Sequence, residues 1–250
     1  MTENDITQDN DIINNWEDLD IKTNLLRGIY SYGFEKPSPI QRKAIGPILK
    51  GKDVIAQAQS GTGKTACFTI SSLEIVDPEI NHPQVVILSP TRELSFQSKA
   101  VIDNIGTNMK DISSKLLVGG TSTEHDIKLL RDQSCHILVG CPGRIHDMMR
   151  RKNINTTNIK LVILDEADEM LSAGFKDQVY NILQYLSNNI QIALFSATMP
   201  DSLYGLTEKF MRNPVKIIVK NDQLTLEGIR QYYINLEDDT MKYDTLKDLF

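Results

Sequence analysis

Seven short runs of mostly branched aliphatic residues recur along the chain. They are DVIAQA (53–58), QVVILSP (84–90), KLLVGG (115–120), HILVGCP (136–142), KLVILDE (160–166), QIALFSAT (191–198) and VKIIVK (215–220). A strand with one wet face alternates apolar and polar residues. A run that is apolar throughout is buried on both faces, as in a parallel sheet. Between the runs lie stretches with helical periodicity, among them residues 92–105, 124–132 and 176–186. Repeated strand–helix units with right-handed crossovers give an α/β sandwich, a mostly parallel sheet flanked by helices on both faces.

The pattern does not extend to the ends. Residues 1–15 are rich in Asn and Asp and read as a flexible acidic tail. The regular domain is expected over residues 16–222, and residues 223–250 read as a linker and the start of a second domain. In that tail QYYINLEDD reads as a further strand and MKYDTLKDLF as a helix. The net charge of −6 comes from the ends, because residues 22–233 hold 21 acids against 25 bases. A mildly basic body permits a phosphate-binding face. No run reaches 18 apolar residues and the acidic N-terminus is not a targeting segment, so a cytoplasmic or nuclear chain is expected. Cys67, Cys135 and Cys141 form no C-x-x-C pair and read as buried free thiols.

The first run leads into AQSGTGKT, residues 58–65, and then a helix-like stretch. Strand, glycine-rich loop and helix together meet the P-loop pattern G-x-x-x-x-G-K-[ST], with Ala58 in its first position. Glycines let successive backbone N–H groups of Gln59, Ser60, Gly61, Thr62 and Gly63 turn inward as an anion nest, and the helix N-terminus adds positive potential. Lys64 would meet the β- and γ-phosphates and Thr65 the Mg²⁺. The fifth run ends in Asp165 and Glu166. In a parallel sheet both strand ends lie on one edge, so Asp165 is a candidate metal partner through water, and Glu166 a candidate base for the attacking water. A plain acidic helix start is the other reading of these acids.

Residues 165–168 spell DEAD, and with the loop at 58–65 the chain resembles the DEAD-box RNA helicases. Further motifs occur in the family's order. GFEKPSPIQ (33–41) resembles the Q motif, within residues 14–42, with Trp16 at its upstream aromatic position. PTREL (90–94) resembles motif Ia, Gly119 and Gly120 the GG doublet, CPGR (141–144) the family's TPGR, and SAT (196–198) motif III. The resemblance spans residues 16–250 and is strongest to the translation initiation factor 4A subgroup and its exon-junction paralogue.

The resemblance implies a RecA-like domain using ATP and Mg²⁺. Gln41 would read the adenine edge, since its amide carries a donor and an acceptor, Phe34 would offer a ring to the base, and Trp16 would belong to the same nucleotide-contacting set. Pro90, Thr91, Arg92, Gly119, Gly120, Pro142, Gly143 and Arg144 would contact RNA sugar-phosphate without reading sequence. Cys141 stands where the family has a threonine, which removes a hydroxyl and a good helix cap. Ser196 and Thr198 would bond Asp168 and couple the nucleotide to the RNA, although helix capping is an alternative for them. Arg150, Arg151 and Lys152 read either as electrostatic help for RNA or as a solvated helix end.

The family's arginine motif H-R-x-G-R-x-x-R is not in this sequence; none of His82, His125, His136 and His146 precedes an arginine. The expected function is therefore the N-terminal ATP-binding half of an RNA helicase, a monomer that binds nucleotide and hydrolyses it slowly alone. RNA and initiation-factor-type scaffolds are the expected partners. An ATP-locked RNA clamp of the exon-junction type and an unrelated P-loop DNA motor are the competing readings.

Overall fold

Each of the seven runs forms a strand in the computed structural model, which describes residues 13–132, 134–218, 232–236 and 238–249. The strands are β1 (Val54–Gln57), β2 (Val85–Leu88), β3 (Ser114–Leu117), β4 (Ile137–Gly140), β5 (Leu161–Leu164), β6 (Gln191–Ser196) and β7 (Val215–Ile218). They form one sheet in the order β3-β4-β2-β5-β6-β1-β7. Every pairing is parallel.

Two cores, one on each face, explain why the runs are apolar throughout. Ile87, Ile163 and Phe195 point to the core shared with α1 (Thr23–Ser31), α2 (Pro39–Leu49), α3 (Lys64–Ile75) and α4 (Arg92–Ile105). Their chain neighbours Leu88, Leu164 and Leu194 point to the other face. There they meet α5 (Thr123–Asp132), α6 (Pro142–Arg150), α7 (Ala167–Ser172), α8 (Lys176–Gln184) and α9 (Asp201–Phe210). The period of two along each strand thus feeds both layers.

Buried polar groups pin the elements that carry the loop at 58–65. Lys22 Nζ donates to the carbonyls of Leu73 at 3.1 Å and Val76 at 2.7 Å, and also to that of Glu74, closing the C-terminal end of α3. Burial pushes this amine below its ordinary pKa. Asp53, just ahead of β1, accepts from the amides of Ile192 at 2.8 Å and Arg212 at 2.6 Å, fixing the adjoining strands. On the sheet face, Phe68 of α3 meets Phe195 of β6 edge-on at 5.5 Å between centroids. Such a contact contributes about 0.5–1.5 kcal/mol beyond area burial, and here it fixes the roll of α3.

The chain divides into two compact units at Val219 and Lys220, against the expected boundary at 222. Packing of the first unit reaches back to Ile13, which is buried and whose amide donates to the Arg42 carbonyl at 3.2 Å, so residues 13–15 do not belong to a loose tail. The remainder of that expected tail, residues 1–12, and the first part of the expected linker, residues 223–231, lie outside the described residues. In the second unit the expected helix is present as α10 (Lys242–Asp248). The expected strand is not: residues 232–236 take no regular structure, and Tyr232 and Tyr233 are exposed. A strand needs a paired neighbour, and the described part of this unit supplies only helix. All three cysteines are free and buried, as their spacing implied.

Candidate functional site

Each segment singled out for chemistry, apart from residues 16–41, begins at or within two residues of the C-terminal end of a strand. Because the sheet is parallel these ends share one edge. Ala58 follows β1, Pro90 follows β2, Gly119 follows β3, Cys141 follows β4, Asp165 follows β5 and Thr198 follows β6.

The loop at 58–65 begins with the Ala58 amide donating to the Ser196 carbonyl at 3.0 Å, which ties it to β6. Gly61 and Gly63 adopt φ of 82° and 99°, the left-handed region that turns their amides inward. Gly63 also caps α3, so the loop ends on a helix N-terminus. A Cβ on Gly63 would stand 2.5 Å from Gln41 Nε2 and 2.9 Å from Ser38 Oγ. Gly63→Ala is therefore expected to cost about 1–3 kcal/mol in urea denaturation, from backbone strain plus displacement of a hydrogen-bonded amide. Adding Gln41→Ala should recover the steric part and leave the strain. An unchanged midpoint in the single variant would refute this.

Lys64 is buried, and its Nζ lies 2.8 Å from both carboxylate oxygens of Glu166. Ser60 Oγ donates to the same carboxylate at 3.2 Å. Glu166 itself sits at φ 46°, a left-handed conformation that costs a non-glycine residue about 1 kcal/mol or more. Its ion pair holds it there. Asp165 makes no ion pair of its own among the described residues. Its carboxyl is 4% exposed, and burial, with the Glu166 charge beside it, drives its pKa up to about 7. A buried carboxylate under this pressure fits a divalent cation, and the Thr65 hydroxyl has no hydrogen-bond partner among the described residues. The inward amides, Lys64, Thr65 and Asp165 thus suit a magnesium-bound polyphosphate.

Asp168 carries the site onward. Its Oδ2 accepts from the Thr198 amide at 3.0 Å and the Thr198 hydroxyl at 2.6 Å. Its amide donates to Ser196 Oγ at 3.2 Å. Burial raises its pKa, but the hydrogen bonds from Thr198 and Ser196 outweigh that and leave it lowered. The two hydroxyls do not cap α9, whose N-cap is Pro200 without a side-chain bond. Both are directed at Asp168.

On the adenine side, Gln41 is buried and already engaged. Its Oε1 accepts from the Ser38 amide at 2.8 Å, and its Nε2 donates to the Gly63 carbonyl at 3.1 Å. This joins the Q-motif helix to the phosphate loop, with one N–H and one lone pair of the amide left over. Phe34 is half-buried and rests against Tyr32 at 4.9 Å. Trp16 is fully buried, and its indole N–H donates to the Phe34 carbonyl at 3.1 Å. The structure thus corrects its placement as a nucleotide contact: Trp16 is a core residue that fixes the Phe34 backbone.

The three segments expected at RNA converge. Pro90, Thr91, Arg92, Gly119, Cys141, Gly143 and Arg144 line one cavity of about 460 Å³, together with Phe175, which sequence reasoning missed. Pro142 is buried at the first position of α6 beneath it. Thr91 caps α4 by accepting from the Leu94 amide at 3.2 Å. Gly120 at φ 84° seats Arg92, whose Nη1 would lie 2.4 Å from a Cβ there. The Arg92 guanidinium is exposed and makes no ion pair or hydrogen bond among the described residues.

Arg144 differs. Its guanidinium pairs with the buried Asp126 and also donates to Thr121 Oγ1 at 3.1 Å and the Thr121 carbonyl at 2.9 Å. It braces the turn after Gly120 with three of its five N–H groups; Nε–H and one Nη2 N–H have no partner among the described residues, and the side chain still lines the cavity. Asp126 carried no motif signal; its only trace in the sequence is an acid in the first turn of α5. Cys141 does not cap α6 and lies 3.7 Å from Ser95 Oγ, consistent with the lost hydroxyl. Arg150 and Arg151 both pair with Asp147 on their own helix end, which favours the solvated-end reading.

Comparisons with known proteins give the family of the chain. The family model of the DEAD/DEAH box helicase matches residues 38–206. The ATP-dependent RNA helicase eIF4A of Chaetomium globosum is 52% identical over 238 residues, covering 95% of this chain and 59% of that protein. Its Yarrowia lipolytica counterpart is 51% identical over 244 residues, covering 98% and 61%. This chain thus spans about three-fifths of the curated relatives it matches. Among solved structures, S. cerevisiae Dbp5 bound to RNA and ADP BeF3 has a TM-score of 0.84 at 35% identity, covering 94% of this chain and 59% of that one. A DEAD box protein from Methanococcus jannaschii has 0.81 at 36%, covering 95% and 63%.

Proposed function

Because this chain belongs to the DEAD/DEAH box helicase family, we propose that it is the ATP-binding half of an RNA helicase in which ATP and RNA binding are coupled. The observation that carries this is a continuous polar chain at one sheet edge. It runs from Lys64 to Glu166, along the DEAD segment to Asp168, and on to Thr198 and Ser196. A cavity of about 610 Å³ is lined by Ser60, Glu166, Asp168 and Thr198 together with Leu94 of α4. The same helix begins with Arg92 at the RNA-side cavity. One rigid element therefore borders both sites.

The residues divide the work as follows. Backbone amides of the loop at 58–65 and Lys64 hold the phosphates, and Thr65 and Asp165 hold Mg²⁺, Asp165 through water. The bound magnesium supplies charge neutralisation along the phosphates. Lys64 exchanges the Glu166 carboxylate for phosphate oxygens, and Glu166 is then free to take a proton from water. Gln41 and Phe34 select the base through the remaining amide positions and the ring face. Ser196 and Thr198 carry the position of Asp168 toward the RNA side. Arg92, the backbone at Gly119 and Gly120, and Gly143 grip sugar-phosphate.

Hydrolysis by this chain alone is slow on this reading, since the arginine motif is not in its sequence and such fingers contribute about 10³–10⁵ in rate. Unwinding, initiation-factor-type scaffolds and a cytoplasmic setting rest on the identity to eIF4A helicases. Among the described residues no helix is long and apolar enough to cross a membrane.

Calorimetry with Mg·ATP, Mg·GTP and Mg·ADP, repeated with single-stranded RNA, tests the reading. Adenine nucleotides should bind at micromolar to millimolar levels, GTP more weakly, and RNA should raise ATP affinity. No uptake at millimolar nucleotide, or nucleotide binding indifferent to RNA, would overturn it.

A further inference from the structure

Phe96 is the most exposed large apolar side chain among the described residues of the first unit, at 54%. The other exposed aromatics of that unit are tyrosines, whose hydroxyls suit solvent. Phe96 makes no ring or cation contact with another described residue. About half of this benzyl group meets water, an apolar surface that contact with another ring would cover.

Its position gives it a neighbour. Phe96 lies four residues after Arg92 on α4, so the two share a helix face one turn apart. Arg92 rests against Gly120. Further along that face Asp103 accepts from Ser114 Oγ at 2.6 Å, at the start of the edge strand β3. The ring therefore stands on the side of α4 turned to β3, just past the cavity that holds Arg92.

We propose that Phe96 is a stacking platform for a nucleobase of the RNA strand gripped at Arg92. The proposal rests on the RNA-binding reading above and adds a base contact to a cleft otherwise built for sugar-phosphate. The surround favours a base over a protein partner. The ring's helical neighbours Arg92, Glu93 and Lys99, and Gln97 beside it, are all polar, and Lys99 is paired with Asp103. Protein docking uses a contiguous apolar patch of several hundred square ångströms, whereas one ring matches one base π-face.

The single native tryptophan, Trp16, is fully buried, so Phe96→Trp places an exposed indole at the platform. Its fluorescence is read while a single-stranded RNA, or the same strand made abasic, is titrated and anisotropy reports binding. Quenching by the RNA and not by the abasic strand is expected. Phe96→Ala should weaken the intact RNA about fivefold to tenfold and leave the abasic strand unaffected, while Arg92→Ala weakens both. RNA binding without quenching, or equal losses for both strands in Phe96→Ala, would overturn the stacking role and leave the RNA reading intact. Absence of RNA binding to the unsubstituted protein would overturn the RNA reading and this inference with it.

Discussion

Lys64→Ala is expected to lower the affinity for Mg·ATP by about 100-fold or more, since two charge-assisted hydrogen bonds at roughly 1.5–3 kcal/mol each are removed from the phosphates. The nucleotide-free structure adds a second consequence. Lys64 neutralises Glu166, which stands in a left-handed conformation beside the buried Asp165. Without it two carboxylates face each other unpaired, and the variant should melt lower as well as bind worse. Glu166→Gln separates the two effects. It removes the ion pair but keeps the lysine, so Lys64 no longer has to leave a carboxylate before meeting phosphate. Its nucleotide affinity should equal or exceed that of the unsubstituted protein, while hydrolysis falls. Opposite signs from the two partners of one ion pair are the signature of a lysine shared between Glu166 and nucleotide. Isothermal titration of both variants checks it; unchanged affinity in Lys64→Ala would sink the proposed site.

The strands were legible because burial on both faces leaves an unbroken apolar run, and each observed strand lies inside its expected run except β3, which begins one residue earlier at Ser114. The phosphate loop was legible for a related reason: backbone geometry demands glycine at 61 and 63, and few other residues substitute there. What the sequence hid are partnerships between distant residues. Arg144 was read as a phosphate ligand from a local motif, and its carboxylate partner Asp126, which lies in another helix, left no such signal. Trp16 looked like part of a base site because the motif places it near Phe34, and only packing reveals that it lies wholly in the core. Gln41 was read as facing a ligand, and its motif carried no sign that half of its amide also joins Gly63 while capping α2. In each case the residue type gave the chemistry available, and the tertiary neighbour decided where that chemistry was directed. The missing strand at 232–236 has the same origin, since strand propensity yields a strand only beside a paired edge.

Asp165→Asn should stabilise the nucleotide-free protein at pH 8 while removing its response to Mg·ATP. Asp165 has a folded pKa of about 7, raised by burial and by Glu166, against an unfolded value near 3.8. The native state therefore holds this proton more tightly than the unfolded chain. Its contribution to stability is complete below about pH 4 and is lost as pH rises through about 7, with no further change above. The loss is on the order of 4 kcal/mol at alkaline pH. Asparagine keeps the shape and cannot ionise, so the variant's advantage should be largest at pH 8 and close toward pH 4. Denaturant midpoints across that range measure it, and the Lys64–Glu166 pair, present in both proteins, cancels in the difference. Adding Mg·ATP reverses the order, because only the carboxylate can hold the cation. A gap that stayed constant from pH 4 to 8 would mean that Asp165 is not under charge stress. The same buried acid that weakens the empty domain is thus what fits it to a cation, the form a stability–function trade-off takes when a charge is kept dry for a ligand.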